Sequence, residues 1–159
     1  GFADAYGPTG IIEAMVQDIV ETGSLDALDR AKTTPPESPL ALIQAEIDEA
    51  FSTPDMAAII HAVRENEAEW AVRALKALEK GSPLALLSPL ALVRRARAEN
   101  NVTAALKAEY GFTSRSMEHG DFLEGIRAAI IDKDRNPQWK YKTVEDVPAD
   151  LIDLMLSDA

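Results

Sequence analysis

The chain has 159 residues, 47% of them hydrophobic and 27% charged, which supplies a core and argues against disorder of the whole. Sixteen basic side chains stand against 27 acidic ones, a net charge of −11, so the field of the molecule opposes nucleic acid and anionic membrane and neither is expected as a partner. Without cysteine there is no disulfide framework, thiolate metal site or cysteine nucleophile, which fits a reducing compartment such as the cytoplasm, and no apolar run approaches the ~20 residues of a membrane-spanning helix.

Alanine and leucine together number 42 against 19 for valine and isoleucine, a balance that favours helix over strand, and the chain reads as all-α. Its opening, Gly1-Phe2-Ala3-Asp4, has neither an initiator methionine nor the regions of a signal peptide, and the chain is expected to be cut from something longer. Ile11, Ile12, Met15, Val16, Ile19 and Val20 recur on one helical face. They predict a first helix of about three turns, stopped at Gly23 and followed by a new cap at Ser24. A short second helix holds Leu25 and Leu28 until Thr33-Thr34-Pro35-Pro36-Glu37 breaks it, because paired prolines remove donors and clash with a preceding turn.

Ser-Pro-Leu-Ala-Leu then occurs at Ser38–Leu42, Ser82–Leu86 and Ser88–Leu92, with serine suited to the N-cap and proline to the first helical position. The interval between the first two copies is not repeated further on, so these are local helix starts and not a solenoid. Between them fall a helix with Leu42, Ile43, Ile47 and Phe51, one restarted by Thr53-Pro54-Asp55 with Met56, Ile59, Ile60 and Val63, and one with Trp70, Ala71, Ala74, Leu75 and Leu78 ending at Gly81. Pro89 leaves two options, a short first turn followed by a new helix or one helix kinked at Ser88. Helices over 90–98, 102–117, 121–131 and 147–156 complete the reading. Ala128-Ala129-Ile130-Ile131 is the one stretch that could extend locally as strand.

Charge is unevenly placed. Residues 1–60 hold 2 basic and 11 acidic side chains and residues 145–159 hold 0 and 5, whereas residues 61–142 hold 14 and 11, so an anionic ligand would prefer the middle. His61 and His119, the two histidines, read as a partly exposed helix residue and a residue at a helix junction, not as a base or metal ligand. Asp132-Lys133-Asp134 has a spacing that could suit a divalent cation but no calcium-loop pattern, and these charges with Arg135 read as local ion pairs at a helix end. Arg94, Arg95 and Arg97 read as a solvated face. No phosphate loop, dinucleotide turn or nucleophile elbow occurs; from the residues alone this is a helical module without an assigned catalytic or metal site.

The run Asp121-Phe122-Leu123-Glu124-Gly125-Ile126-Arg127-Ala128-Ala129-Ile130-Ile131-Asp132-Lys133-Asp134-Arg135-Asn136-Pro137-Gln138-Trp139 strongly resembles the C-terminal signature of 3-hydroxyisobutyryl-CoA hydrolases, a branch of the enoyl-CoA hydratase/isomerase (crotonase) superfamily. Ser38-Pro39-Leu40 with Ile47, Asp48 and Phe51, then Glu69-Trp70-Ala71, and Lys80-Gly81-Ser82-Pro83 with Glu109 resemble further landmarks in the family's order. From about Gly23 onward the resemblance covers the chain. Leu87 and Pro89 depart from the lysine and threonine that many members show after the Ser-Pro-Leu segment.

The resemblance implies a parent with an N-terminal spiral of ββα turns, where two backbone N–H groups polarise a thioester carbonyl and acidic side chains activate water. This chain resembles the helical remainder, residues 1–159 forming one helical subdomain without that core. No catalytic residue carries over, and the isolated piece is expected to be inactive, since acyl transfer usually depends more on stabilising the oxyanion than on any other single effect. The acyl-CoA is expected to meet the parent through its core, the CoA moiety belonging to the substrate, with no separate cofactor. In the wider superfamily a lysine at the end of the helix opened by Glu-Gly lies close to the CoA 3′-phosphate. Glu124 and Gly125 match that pair and Lys133 is the nearest counterpart, one residue later and preceded by Ile130 and Ile131 where the hydratases have an aromatic. Arg127 is the second candidate for CoA, with a structural ion pair as its alternative role, and Pro137 and Trp139 are expected to anchor the tail. An enoyl-CoA hydratase or isomerase and a standalone helical interaction module are the other readings. Helices made to cover a core leave apolar faces, so self-association is expected.

Overall fold

A computed structural model describes Ala3 and residues 5–157; Gly1, Phe2 and Asp4 of the opening run lie outside the described residues. Among the described residues there are helices and turns and no strand, so 128–131 does not extend. The sequence alone predicts one helical subdomain; the residues gather into two compact units, Gly1–Ala45 and Glu46–Ala159.

In the first unit a 3-10 turn, Thr9–Ile11, leads into α1 (Ile12–Thr22). Gly23 ends α1 at φ 68°, a left-handed conformation open to glycine, and its N–H bonds the Ile19 carbonyl oxygen at 2.8 Å. The Ser24 hydroxyl accepts from Asp26 N–H at 3.1 Å, starting α2 (Asp26–Ala31). Arg30 of α2 donates to Asp18 of α1, and Thr33 N–H bonds the Tyr6 carbonyl oxygen at 2.9 Å. The apolar face foreseen for α1 forms but is covered only in part: Met15 and Ile19 are half-buried, Ile12, Val16 and Val20 are exposed, and no residue of the helix is fully buried. The Ser38-Pro39 start holds, giving α3 (Pro39–Leu42). The single helix expected here is instead two, because Ile43 leaves helical geometry at φ −112°, ψ 8° before α4 (Gln44–Ala50).

The second unit owes its core to a helical hairpin. Asp55 caps α5 (Met56–Glu65) by accepting from Ala57 N–H at 2.8 Å, and α6 (Glu69–Leu78) packs beside it. Ala50, Met56, Ile59, Val63 and Ala71 are buried together, with Trp70, Leu75 and Leu78 on their margin; the predicted i, i+3, i+4 spacing of the α5 residues is what brings them to one face. Trp70 fixes its polar edge by donating from Nε1 to Glu46 at 2.8 Å.

Pro89 does not divide the next element. α7 runs unbroken over Pro83–Glu99 with Pro89 inside it, so the first turn is not a separate helix. Ser82 caps it, accepting from Ala85 N–H at 3.3 Å. Asn101 caps α8 (Val102–Arg115) through Thr103 and Ala104 N–H groups. After α8 come α9 (Phe122–Ile126), a π-helical turn over Arg127–Ile131 where a longer α-helix is expected, a 3-10 turn at Val144–Asp146 and α10 (Ala149–Met155). Leu84, Val147 and Met155 form a second buried group, bordered by Phe112, Tyr141 and Ile152. The chain end lies so close to α8 at Gly111 that an added Cβ would stand 2.3 Å from the Ser157 carbonyl oxygen.

Candidate functional site

The signature run folds into a compact knot after α8, and its organiser is one guanidinium. Arg127 lies at the start of the π turn, three residues after Glu124, so the two side chains meet on one helical face. Nε and Nη2 donate to the two Glu124 oxygens at 2.9 and 2.8 Å; Nη1 donates to Asp132 at 2.6 Å and Asp134 at 2.7 Å; Nη2 also reaches the Asn136 carbonyl oxygen at 3.1 Å. A guanidinium has five N–H donors, and all are engaged. The fork fits carboxylates where an ammonium would not.

These contacts fix the ionisation of the knot. The Arg127 guanidinium, helped by Gln138 N–H at 2.6 Å, holds Glu124 down at about 2. Arg127 and the Asn136 N–H likewise lower Asp134, while Glu124, Asp134 and Asp132 push Arg127 further up. Glu124, Asp134 and Arg127 are therefore charged near neutrality.

The turn they hold is tight. Asp132 N–H returns to the Arg127 carbonyl oxygen at 2.8 Å and Arg135 N–H to that of Ala128 at 3.0 Å, with Lys133 between these donors at φ 56° and Arg135 itself at φ 54°. A left-handed residue with a Cβ costs roughly 1–2 kcal/mol, which the closing hydrogen bonds offset. Lys133 is exposed, and among the described residues it enters no ion pair. The expected ion pairing of Asp132 and Asp134 occurs, but with Arg127 and not Arg135, because the reversal of the chain brings both carboxylates back over the π turn.

Two further contacts sew the knot to the rest of the unit. Asp121 accepts from the buried Ser82 hydroxyl and, at 2.9 Å, from Lys140 N–H. Trp139 donates from Nε1 to the Lys80 carbonyl oxygen at 3.1 Å, and its ring lies over Gly125. The second serine-proline start and the signature, far apart in the chain, are thus joined in one place. Between them opens an apolar groove of about 570 Å³, lined by Leu84, Phe112, Phe122, Ile126, Ile130 and Trp139 among others.

The other candidates stay apart from this place. His61 is exposed on α5, and His119 stands 3.8 Å from Glu118. Arg94 donates to the Thr53 carbonyl oxygen and Arg95 pairs with Asp153, so two of the three arginines of α7 are tied within the unit. The contact between Ser82 and Asp121 is what sequence reasoning missed. No spacing rule joins residues 39 positions apart, whereas the acidic neighbours of Arg127 at three, five and seven positions are a signal that could have been read.

The chain matches the enoyl-CoA hydratase/isomerase family over residues 1–156 and belongs to it. It is 31% identical to the probable 3-hydroxyisobutyryl-CoA hydrolase 3 of Arabidopsis thaliana, with 96% of this chain and 44% of that protein covered. It is 35% identical to the small ribosomal subunit protein mS47 of Arabidopsis thaliana, over 78% of this chain and 32% of that one. The crystal structure of an enoyl-CoA hydratase from Rhodobacter sphaeroides 2.4.1 superimposes with a TM-score of 0.83 at 37% identity, covering 99% of this chain and 45% of the other. The chain thus spans less than half the length of each of these proteins. Among the described residues no helix is long and apolar enough to cross a membrane.

Proposed function

We propose that this chain is the helical part of an acyl-CoA thioester hydrolase of the 3-hydroxyisobutyryl-CoA type, acting in valine breakdown in the cytoplasm. In that reaction water adds to the thioester carbonyl carbon, the carbon–sulfur bond breaks, and the products are the free hydroxy acid and the CoA thiol. The observation that carries the reading is the 31% identity to a probable 3-hydroxyisobutyryl-CoA hydrolase over nearly the whole chain. The acyl-CoA is recognised chiefly by the remainder of the protein. Lys133, exposed and without an ion pair among the described residues, contacts the CoA 3′-phosphate, and Arg127 serves that contact by engaging Asp132 and Asp134. The whole protein assayed with 3-hydroxyisobutyryl-CoA should release thiol; hydration of crotonyl-CoA without thiol release would reject the assignment. Replacing Lys133 by alanine should reduce the preference for CoA over 3′-dephospho-CoA.

A second reading, a hydratase or isomerase, is favoured by the enoyl-CoA hydratase among the structural relatives, and crotonyl-CoA is its test. A third, a helical module without catalysis, is favoured by the ribosomal relative, and absence of turnover with both substrates would select it. In any of the three, the exposed Val102, Leu106 and Tyr110, four residues apart on α8, suit association with a second copy.

A further inference from the structure

We infer that Arg127 is a positioning residue that keeps the ammonium of Lys133 free for an anion, by engaging the two aspartates that flank Lys133 in the chain. The identity of that anion as a CoA phosphate rests on the function proposed above; the positioning itself does not. A lysine between Asp132 and Asp134 would ordinarily find its own counter-ions within reach, and a locally paired ammonium has less to offer a ligand. Here both aspartates turn to Arg127 Nη1, at 2.6 and 2.7 Å. The left-handed backbone of Lys133 and the bonds closing the turn at Asp132 and Arg135 complete the separation, and Lys133 is left exposed beside carboxylates already engaged.

Arg127 is not the anion's ligand in this arrangement. Glu124 and the Asn136 carbonyl oxygen occupy its three other N–H groups, so an incoming anion would have to displace a carboxylate to reach it. Its effect on binding therefore passes through Asp132 and Asp134, which makes a distinctive prediction: Arg127 matters only while those two residues are acidic.

The test is acetylation of Lys133 by a sulfonated N-hydroxysuccinimide acetate in the whole protein, followed by mass spectrometry, because an ion-paired lysine holds its proton longer and acylates more slowly. R127Q should slow labelling of Lys133 by about twofold to fivefold, the range of an exposed ion pair. D132N/D134N should label as the parent does, and R127Q/D132N/D134N should recover the parent rate. R127K, which keeps a cation at the position but loses the fork, covers the case in which R127Q does not fold, and should also slow the reaction. Parent-like labelling in both single variants, or no recovery in the triple variant, overturns the inference. The ratio of affinities for CoA and 3′-dephospho-CoA should follow the same order. If labelling follows it and the ratio does not, the positioning stands and the phosphate reading falls.

Discussion

Charge at Glu124 and space at Gly111 show how single residues set local stability here. Glu124 is held at about 2 against an ordinary value near 4.5, so its stabilising contribution is complete above the ordinary value and is lost as pH falls through about 2. Acid unfolding followed by circular dichroism should therefore show stability declining across that window, and E124Q should remove this part of the pH dependence while lowering stability at neutral pH. At Gly111 the limit is steric: the Ser157 carbonyl oxygen lies where a side chain would begin, and Arg115 Nη1 bonds the same oxygen at 3.0 Å. G111V should displace the chain end and cost about 1–3 kcal/mol, as overpacking does, read as a lower thermal midpoint. Glu124 and Arg127 both stand in the signature, where an ion pair is an alternative role for Arg127 but Glu124 is not named as its partner. The role of Gly111 is not visible in the sequence, because its neighbour is a backbone oxygen from the other end of the unit.

Among the elements, α7 best separates local from tertiary causes. Ser82 and Pro83 mark its start in the sequence, and the cap forms as expected. Ser88 and Pro89 carry the same signal six residues later and start nothing. Ser88 is buried within the helix, and its hydroxyl has no hydrogen-bond partner among the described residues. An unpaired buried hydroxyl costs about 1–3 kcal/mol, so S88A should raise stability by about 1 kcal/mol, a shift of roughly 2–4 °C in thermal midpoint for a protein of this size. Packing of Leu84, Leu87 and Leu90 against the two buried groups outweighs what Pro89 and Ser88 lose locally. The opposite happens before α4, where the apolar spacing foretold continuity and Ile43 breaks it. The signature helix differs for a third reason: the π turn at Arg127–Ile131 lets the chain reverse so that Asp132 and Asp134 reach Arg127.

For the whole molecule, the apolar surface is the feature with consequences. Ile12, Val16 and Val20 in the first unit, and Val102, Leu106, Tyr110, Ile130 and Ile131 in the second, are exposed, more apolar side chain than a solvated helical surface requires. Sedimentation velocity should show association of the 159-residue chain that rises with concentration. L106E, which places a charge in the α8 stripe, should reduce it without costing more than about 0.5 kcal/mol of stability, the usual scale for a surface change. A monomer at every concentration would remove α8 as a contact face.

The sequence by itself determined the helical class, most helix starts and the family, because N-caps, prolines at the first position and apolar periodicity act within a turn or two, and because the signature is contiguous. Tertiary structure decided that α7 runs through Pro89, that Ser82 joins Asp121, and that Asp132 and Asp134 pair with Arg127 and not Arg135. Each of these depends on which backbone passes near which side chain after the chain has turned, and a pattern of neighbours in sequence does not contain that distance.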